Sequence, residues 1–426
     1  MSRFPELTQT FVLFEIRAVE QQGISVELYP LLRGGNQTRH TDGASLWRKL
    51  FELSGTKRAK QVMHPEAAAL VARAHFAPFL SRAVLAAQWY YLCRNPAAYF
   101  AALWTLVRGA WGSTNFLLGG LAIFPKSVYF ARGMASQGIT HIHAHFANHP
   151  TTAAWIIHRL TGIPYSFTAH GSDLHRDRHL LREKVAEASF VVPISQCNRE
   201  VIEQHCGSSC RSRLNIIHCG VDTDLFHPTH PSRGTSACGT LKILSGGTLH
   251  EVKGQKYLIE ACHRLKDRGI DFECNFVGDG PDFASLSEQI TQLGLDEQVH
   301  LLDQRTRLEI VSLMHEADVL VAPSVPSRSG RREGIPVVLM EAMACGVPVV
   351  ASDLSGIPEL IDHEECGLLT PPGDVDKLVD ALTRLHVDTE LCQQMGRGAR
   401  AKVLEQFNQS KNASLLSQRF SESSET

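Results

Sequence analysis

Two kinds of apolar run alternate along this chain. Short continuous runs rich in Val and Ile, closed by Gly, Pro or Ser, read as buried strands at 165–169, 188–195, 214–219, 241–245, 272–277, 299–302, 318–323 and 347–351. Longer stretches of helical pattern lie between them, at 10–22, 151–161, 250–268, 285–293, 308–317, 337–344, 375–386, 389–406 and 410–420. Strand and helix alternating in two series predict an α/β protein of two Rossmann-like domains facing across a cleft. A stretch rich in Ser, Pro, Thr and Gly at 229–239 separates them, which gives a first domain at 1–230, a second at 240–405 and a terminal helix in 406–426.

The first series begins irregularly. Phe4-Pro5 reads as a loop with only three residues before it, and 24–32 as a strand in which Ile24, Val26 and Leu28 alternate with Ser25, Glu27 and Tyr29. Residues 140–145, Thr-His-Ile-His-Ala-His, form a further strand. From 44 to 121 the pattern is helical and rich in aromatics, with Phe76, Phe79, Trp89, Tyr90, Tyr91, Tyr99, Phe100, Trp104 and Trp111 interleaved with Arg73, Arg82, Arg94 and Arg108. That mixture suits a surface that rests on a membrane and grips a lipid-linked acceptor. Helices that cover a sheet with one apolar face would produce it too.

Composition narrows the class. A chain of 426 residues with 43% hydrophobic and 20% charged residues is that of a globular protein with room for two domains. The net charge of −2 divides unevenly: residues 1–230 hold 23 Lys and Arg against 15 Asp and Glu (+8), and the remainder 19 against 29 (−10). A basic first half suits an anionic partner such as lipid headgroups or a lipid-linked diphosphate, although two unlike halves also simply attract. Eleven scattered cysteines read as reduced thiols, and Cys206 and Cys210 lack the second close pair a zinc site would need. No metal, no organic cofactor and no nucleic acid is expected. The first ten residues do not read as a signal peptide, and 109–125 and 133–158 are too short or too polar to span a bilayer. The expected location is the cytoplasm, at the inner face of the cell membrane.

Chemistry concentrates at 318–352, read as strand, polar loop, helix and strand. Glu333 falls past the carboxyl end of the first strand, where open α/β sheets bind ligands. Glu341 is the one charge in an apolar helix, and Arg328, Arg331 and Arg332 crowd the loop before Glu333. Upstream, Gly246-Gly247-Thr248 follows a strand and leads through Lys253 into a helix, a turn that lets backbone N–H groups and a point charge meet a phosphate. In the first half His170, followed by Gly171, sits at a strand end with Asp173 close by, and His145 ends the preceding strand. Asp222-Thr-Asp224 reads as linker rather than as a metal-binding Asp pair. Phe283 stands where a dinucleotide fingerprint needs its third Gly.

EGIPVVLMEAMACGVPVVAS at 333–352 resembles the signature of retaining glycosyltransferases of family 4, with its Glu-x7-Glu pair. FPELTQTFVLFEI, HIHAHFANHPTTAA and SFTAHGSDL resemble the bacterial colanic-acid and exopolysaccharide members of that family. The resemblance implies the architecture called GT-B and a final helix that crosses back to the first domain. It implies transfer of a sugar from a nucleotide diphosphate sugar to a lipid-linked oligosaccharide or polysaccharide precursor, with retention of configuration. Glu341 would hold ribose hydroxyls, and Glu333 the donor sugar with Gly334 and Ile335 beside it. Lys253, Gly247 and Thr248 would meet the diphosphate, His170 would position the sugar, and His145 and Asp173 would lie on the acceptor side. Two departures stand out: Thr248 replaces a common Arg, and the strand expected before Phe4 is missing. They leave a truncated, non-catalytic binding subunit as the alternative, with an oxidoreductase or phosphorylase behind it.

Overall fold

The structure is a computed structural model that describes residues 3–4, 10–33, 65–78, 81–175, 178–229, 239–328, 330 and 332–424. The first domain runs β1 (Arg3–Phe4), α1 (Thr10–Gln21), β2 (Leu32–Arg33), α2 (Pro65–Ala72), α3 (Arg82–Arg94), α4 (Pro96–Gly109), α5 (Thr114–Gln137) and β3 (Ile142–His145). It continues through α6 (His149–Thr161), β4 (Tyr165–Ala169), α7 (Ser172–His175), α8 (Leu181–Glu187), β5 (Phe190–Pro193) and α9 (Gln196–Cys206). β3, β4 and β5 form a parallel sheet, and every residue of β4 and β5 is buried, as continuous apolar runs require. Leu214 adds only a bridge to Val191, so the strand expected over 214–219 is present as an extended segment hung from the edge of β5.

The N-terminus differs from expectation. Phe4 is not loop: Arg3 and Phe4 pair in parallel with Leu32 and Arg33 as a separate two-stranded sheet. Residues 24–31 alternate as a strand would, yet they join no ladder, because alternation supplies a face but not a neighbour. Leu28 carbonyl accepts from His75 N–H on one side. On the other side a slot of roughly 820 Å³ separates this segment from β3. Consecutive residues of both segments line it, so it opens onto the edges of the two chains, with α1 and α6 contributing Ile16, Val19, Ala153 and Ile157 to its walls. The helical expectation for 44–64 lies outside the described residues. The 109–125 stretch is largely the start of α5, and no helix among the described residues is long and apolar enough to cross a membrane.

The second sheet holds β6 (Leu241–Gly246), β7 (Phe272–Val277), β8 (Val299–Leu301), β9 (Val319–Ala322), β10 (Val349–Ser352) and β11 (Leu368–Thr370), all parallel, in the order β8-β7-β6-β9-β10-β11. The direction of winding reverses between β6 and β9. α10 (Gln255–Asp267), α11 (Phe283–Gln292), α12 (Arg307–Glu316), α13 (Val337–Ala344) and α14 (Ile357–Leu360) connect these strands, and α15 (Val375–Val387) follows the last of them. α16 (Thr389–Gln406) packs on α13. Two apolar clusters carry the layer structure, one of them joining Leu258, Cys262, Phe276 and Val350 and the other Leu320, Leu339, Met343 and Val403.

α17 (Gln409–Ser424) crosses to the first domain, where Ala413 and Leu416 pack with Ala18, Val19, Phe190 and Val192. The turn into it is fixed by backbone pairing of Val221 with Asn408, by Gln409 amide to Phe14 carbonyl and by Asn412 amide to His218 carbonyl. Gly220 lets the chains touch, since a Cβ there would sit 2.4 Å from Gln409 Cα. Asp222 closes the linker on itself by accepting from the Asp224 and Leu225 N–H groups, which is why the Asp pair is a turn.

Arg400 on α16 latches this linker, donating to the carbonyls of Phe226 (2.8 Å), Ala344 (2.7 Å) and Thr223 (3.2 Å). Arg400→Leu should lower stability by about 2–3 kcal/mol, because three half-buried carbonyls lose a charged donor. Urea unfolding checks this; an unchanged midpoint would remove the latch.

Candidate functional site

Reversal of winding between β6 and β9 sends their following loops apart and leaves a crevice at their carboxyl ends. The loop after β6 carries Gly247, whose positive φ (135°) lets it donate to Val277 carbonyl while Lys253 lies against its Cα. The sequence suggested that the helix starts at His250. Instead His250 caps a short 3-10 turn, Glu251–Lys253, and α10 begins only at Gln255. That turn aims Lys253 across the crevice. Gly254 must be Gly, because a Cβ there would lie 1.9 Å from Pro323 carbonyl oxygen at the end of β9. Thr248 is tied in by its carbonyl, which accepts from the Gln255 amide.

The loop after β9 brings Glu333 to meet that lysine. Lys253 Nζ stands 2.9 Å from Glu333 Oε1, with both side chains about one-fifth exposed. The second oxygen, Oε2, is buried and accepts no hydrogen bond from the described residues. A buried carboxylate oxygen without a donor costs free energy unless a ligand supplies one. Pro336 caps α13, so Glu333 belongs to the loop that leads into the helix and Glu341 to the helix itself. Arg328 extends into solvent beside Glu251, and Arg331 lies outside the described residues. Burial lowers the basicity of His175 in the first domain, and the Arg332 guanidinium, which also acts on Cys197, lowers it further.

Glu341 is half-buried on α13 between fully buried Met340 and Ala342. Burial pushes its carboxyl up to about 7, and the Arg307 guanidinium works against that shift. Arg307 was not singled out in the sequence. It lies on α12 of the second domain, with its guanidinium carbon 3.7 Å from the Phe14 ring centroid of the first domain and 5.4 Å from that of Phe226.

Across the cleft, the carboxyl ends of β3 and β4 present a buried histidine cluster. His170 Nε2 faces His145 Nδ1 at 3.2 Å, its Nδ1 faces the Cys219 thiol at 3.8 Å, and its ring packs against Phe11 and Phe146. Burial pushes His170 down to about 3 and His145 well below its ordinary value, so both rings are neutral near pH 7. Glu15 of α1 reaches His145 Nε2 at 3.5 Å, and burial pushes its carboxyl up to about 7. It sits among Phe11, Val12, Leu13, Phe14 and Ile16 in a helix that also carries Arg17 and Glu20, so its place on the apolar face was the available signal. Glu15, His143 and His145 hold their donor atoms within 4.8 Å of one another, a set that could hold a cation. Both ring nitrogens of His143 already meet hydroxyls, of Ser166 (2.8 Å) and Thr168 (2.9 Å).

Asp173 turns inward. Its carboxylate accepts from Ala147 and His170 N–H groups, so it shapes the loop and does not face the cleft. The two halves meet closely: Gly334 and Gly171 approach so that a Cβ on Gly171 would lie 3.5 Å from Gly334 Cα, and one on Gly334 would lie 2.8 Å from His170 carbonyl oxygen. Glu359 reaches over from the second domain and accepts from Gln196 (2.6 Å) and Cys197 (2.9 Å) N–H groups at the start of α9. Ile335 is buried behind Gly334.

Two family models match this chain, Glycosyltransferase Family 4 at residues 93–225 and Glycosyl transferases group 1 at residues 231–402. The protein named "Putative colanic acid biosynthesis glycosyltransferase WcaL" of Escherichia coli is 31% identical over 423 residues, covering 96% of this chain and 95% of that protein. The amylovoran biosynthesis glycosyltransferase AmsK of Erwinia amylovora is 37% identical over 248 residues, 56% of this chain and 59% of its own length. Among solved structures, HepE of Anabaena in complex with UDP aligns at TM-score 0.60 with 24% identity, over 70% of this chain and 82% of that one. The lipopolysaccharide outer core galactosyltransferase WaaB aligns at TM-score 0.61 with 17% identity, over 97% of this chain and 95% of that one. At these identities the structural likeness establishes the fold.

Titration of Glu341 tests its environment directly. Its folded-state value lies above the ordinary 4.5, so its contribution to stability is complete below about 4.5 and is lost as pH rises towards 7. Carboxyl NMR should give a midpoint near 7, and Arg307→Ala should raise it further by removing the opposing charge. A midpoint at the ordinary value would contradict the burial.

Proposed function

The chain belongs to glycosyltransferase family 4, with the two-domain GT-B fold, and from that premise we propose that it moves a sugar from a nucleotide diphosphate sugar to a lipid-linked saccharide acceptor, with retention of anomeric configuration, in cell-surface polysaccharide synthesis. The observation that carries the reading is the Lys253–Glu333 pair at the point where the winding reverses, with one buried Glu333 oxygen left for a ligand. The relatives named for colanic acid and amylovoran biosynthesis support the polysaccharide role.

In this reading the donor lies along the carboxyl ends of β6 and β9. Glu341 accepts from the two ribose hydroxyls, a task for a group with acceptors only, and so binds best when ionised. Glu333 Oε2 accepts a hydroxyl of the donor sugar. Lys253 is shared between Glu333 and the diphosphate, and gains strength as negative charge grows on the leaving phosphate. With Thr248 in place of a common Arg, and Arg328 pointing to solvent, Lys253 carries most of that charge compensation. Glu333 thus keeps the lysine aimed before the donor arrives.

Retention follows if the acceptor hydroxyl attacks the face that the nucleotide leaves. The bond from the anomeric carbon to the phosphate oxygen breaks, the bond to the acceptor oxygen forms, and the leaving diphosphate takes the acceptor's proton. His170, neutral and fixed by His145 and aromatic rings, orients the sugar and exchanges no proton near pH 7.

Purified protein mixed with UDP-, GDP- and ADP-sugars and a bacterial lipid extract should release nucleoside diphosphate from one donor. UDP-sugars are the first choice, because HepE is seen with UDP-glucose. Glu333→Gln should cut turnover by about 100-fold or more while leaving nucleotide binding within a few-fold. Lys253→Ala should weaken both binding and rate, because it removes the phosphate's cation and leaves Glu333 unpaired. Release that persists unchanged in either variant rejects that residue's role, and a folded protein that releases nothing favours the non-catalytic binding subunit.

A further inference from the structure

Between Glu66 and Asp173 the chain contains no acidic residue. Arg82, Arg94, Arg108 and Arg132 within that interval are exposed. Exposed large apolar side chains gather in the same region: of the twelve among the described residues, eight lie between Leu85 and Leu121. Trp89 is 70% exposed, Trp104 67% and Trp111 76%.

α4 shows the pattern most plainly. Helices of a globular protein turn their largest apolar residues inward. This one buries Ala102 and Leu106 and turns Phe100, Trp104 and Arg108 outward, spaced four residues apart on one face. α3 and α5 pack against it and add exposed Leu85, Trp89 and Leu118. Arg132 lies 5.0 Å and Arg94 6.0 Å from the Tyr90 ring centroid, which keeps cations among the aromatics. A tryptophan buries roughly 150–250 Å² when covered. Three left in water indicate that something else covers them.

We propose that α3, α4 and the start of α5 form a membrane-docking face that lies in the headgroup region of an anionic bilayer. Trp89, Trp104 and Trp111 sit at the depth where indole rings favour the interface, and the arginines meet lipid phosphates. A face without a single carboxylate is complementary to an anionic surface and lacks the mixed charges that pair protein with protein. Because no described helix is long and apolar enough to cross a membrane, the contact lies along the surface.

The face also adjoins the cleft. Phe116, in the first turn of α5, stacks on His149 (4.9 Å), which opens α6 just beyond β3, and a Cβ on Gly112 would lie 3.7 Å from His179 Nε2. Trp111 thus stands beside loops at the carboxyl ends of the first sheet. That this position delivers a lipid-borne acceptor rests on the transferase reading; the docking face itself does not.

The test uses the full chain with vesicles of phosphatidylcholine, with or without phosphatidylglycerol, read by co-sedimentation and tryptophan emission. Binding should be at least about tenfold stronger to the anionic vesicles, with a blue shift, and should weaken only in part as NaCl rises from about 0.1 to 0.5 M. A Trp104→Ser, Trp111→Ser double variant should lose about tenfold or more in vesicle affinity, with unchanged circular dichroism and unchanged UDP binding. Failure to bind either vesicle, or binding that the double variant leaves intact, overturns the proposal. So does a self-association that the double variant abolishes in the absence of vesicle binding. UDP binding separates the two readings: protein that binds UDP but no vesicle loses the docking face alone, and protein that binds vesicles but no nucleotide loses the transferase alone.

Discussion

Lys253 and Glu333 are eighty residues apart in sequence, yet their heads lie 2.9 Å apart because β6 and β9 are neighbours whose connections leave in opposite directions. Much of the second domain serves that meeting. Gly254 allows the lysine's turn to pass the end of β9, Gly247 makes room for the lysine stem, and the apolar α13 fixes the far end of the glutamate's loop. The pair is also unfinished, since one carboxylate oxygen lies buried without a donor. A satisfied surface ion pair would contribute little. A half-satisfied one in a crevice holds its shape for a ligand.

The second constraint is how closely the two domains approach. Gly334 and Gly171 meet backbone to backbone, so the loop that carries the donor-side glutamate touches the loop that carries His170. Glu359 joins the domains near the cleft through the first turn of α9, while α17 and the Arg400 latch join them at the back. The cleft-side contact consists of two hydrogen bonds at a helix end; the rear contact combines an apolar cluster with linker hydrogen bonds. Opening for substrate would therefore break the Glu359 contacts and pivot about the rear, the usual arrangement for hinge motion.

Most of the second domain was legible in the sequence. Its central strands β9 and β10 are fully buried and parallel, so they appear as short uninterrupted apolar runs, while β6, β7 and β8 carry polar residues at less buried positions and are still bounded by turn residues. Glu341 stood out because one acid in a buried helix needs a reason; Glu15 was masked because its helix also carries Arg17 and Glu20. Arg307 was not legible, because its importance comes from Phe14, nearly three hundred residues away, and no local pattern encodes that contact. Asp173 was legible as polar but not in direction: its carboxylate serves backbone N–H groups, which only the folded loop supplies. The 24–31 segment shows a different limit. Its alternation is real, but a strand is defined by its neighbour, and β3 lies across an 820 Å³ slot.

A common electrical logic links these sites. On the first-domain side of the cleft, burial drives His145, His170 and Glu15 towards their neutral forms, so that wall carries less charge near pH 7 than its residue types suggest. On the other side a lysine is held in place by a carboxylate. In the proposed reading a diphosphate entering between them would meet Lys253 opposite a wall of weakly charged groups, where its charge is little screened. Farther out, the acid-free arginine and tryptophan face repels no anion.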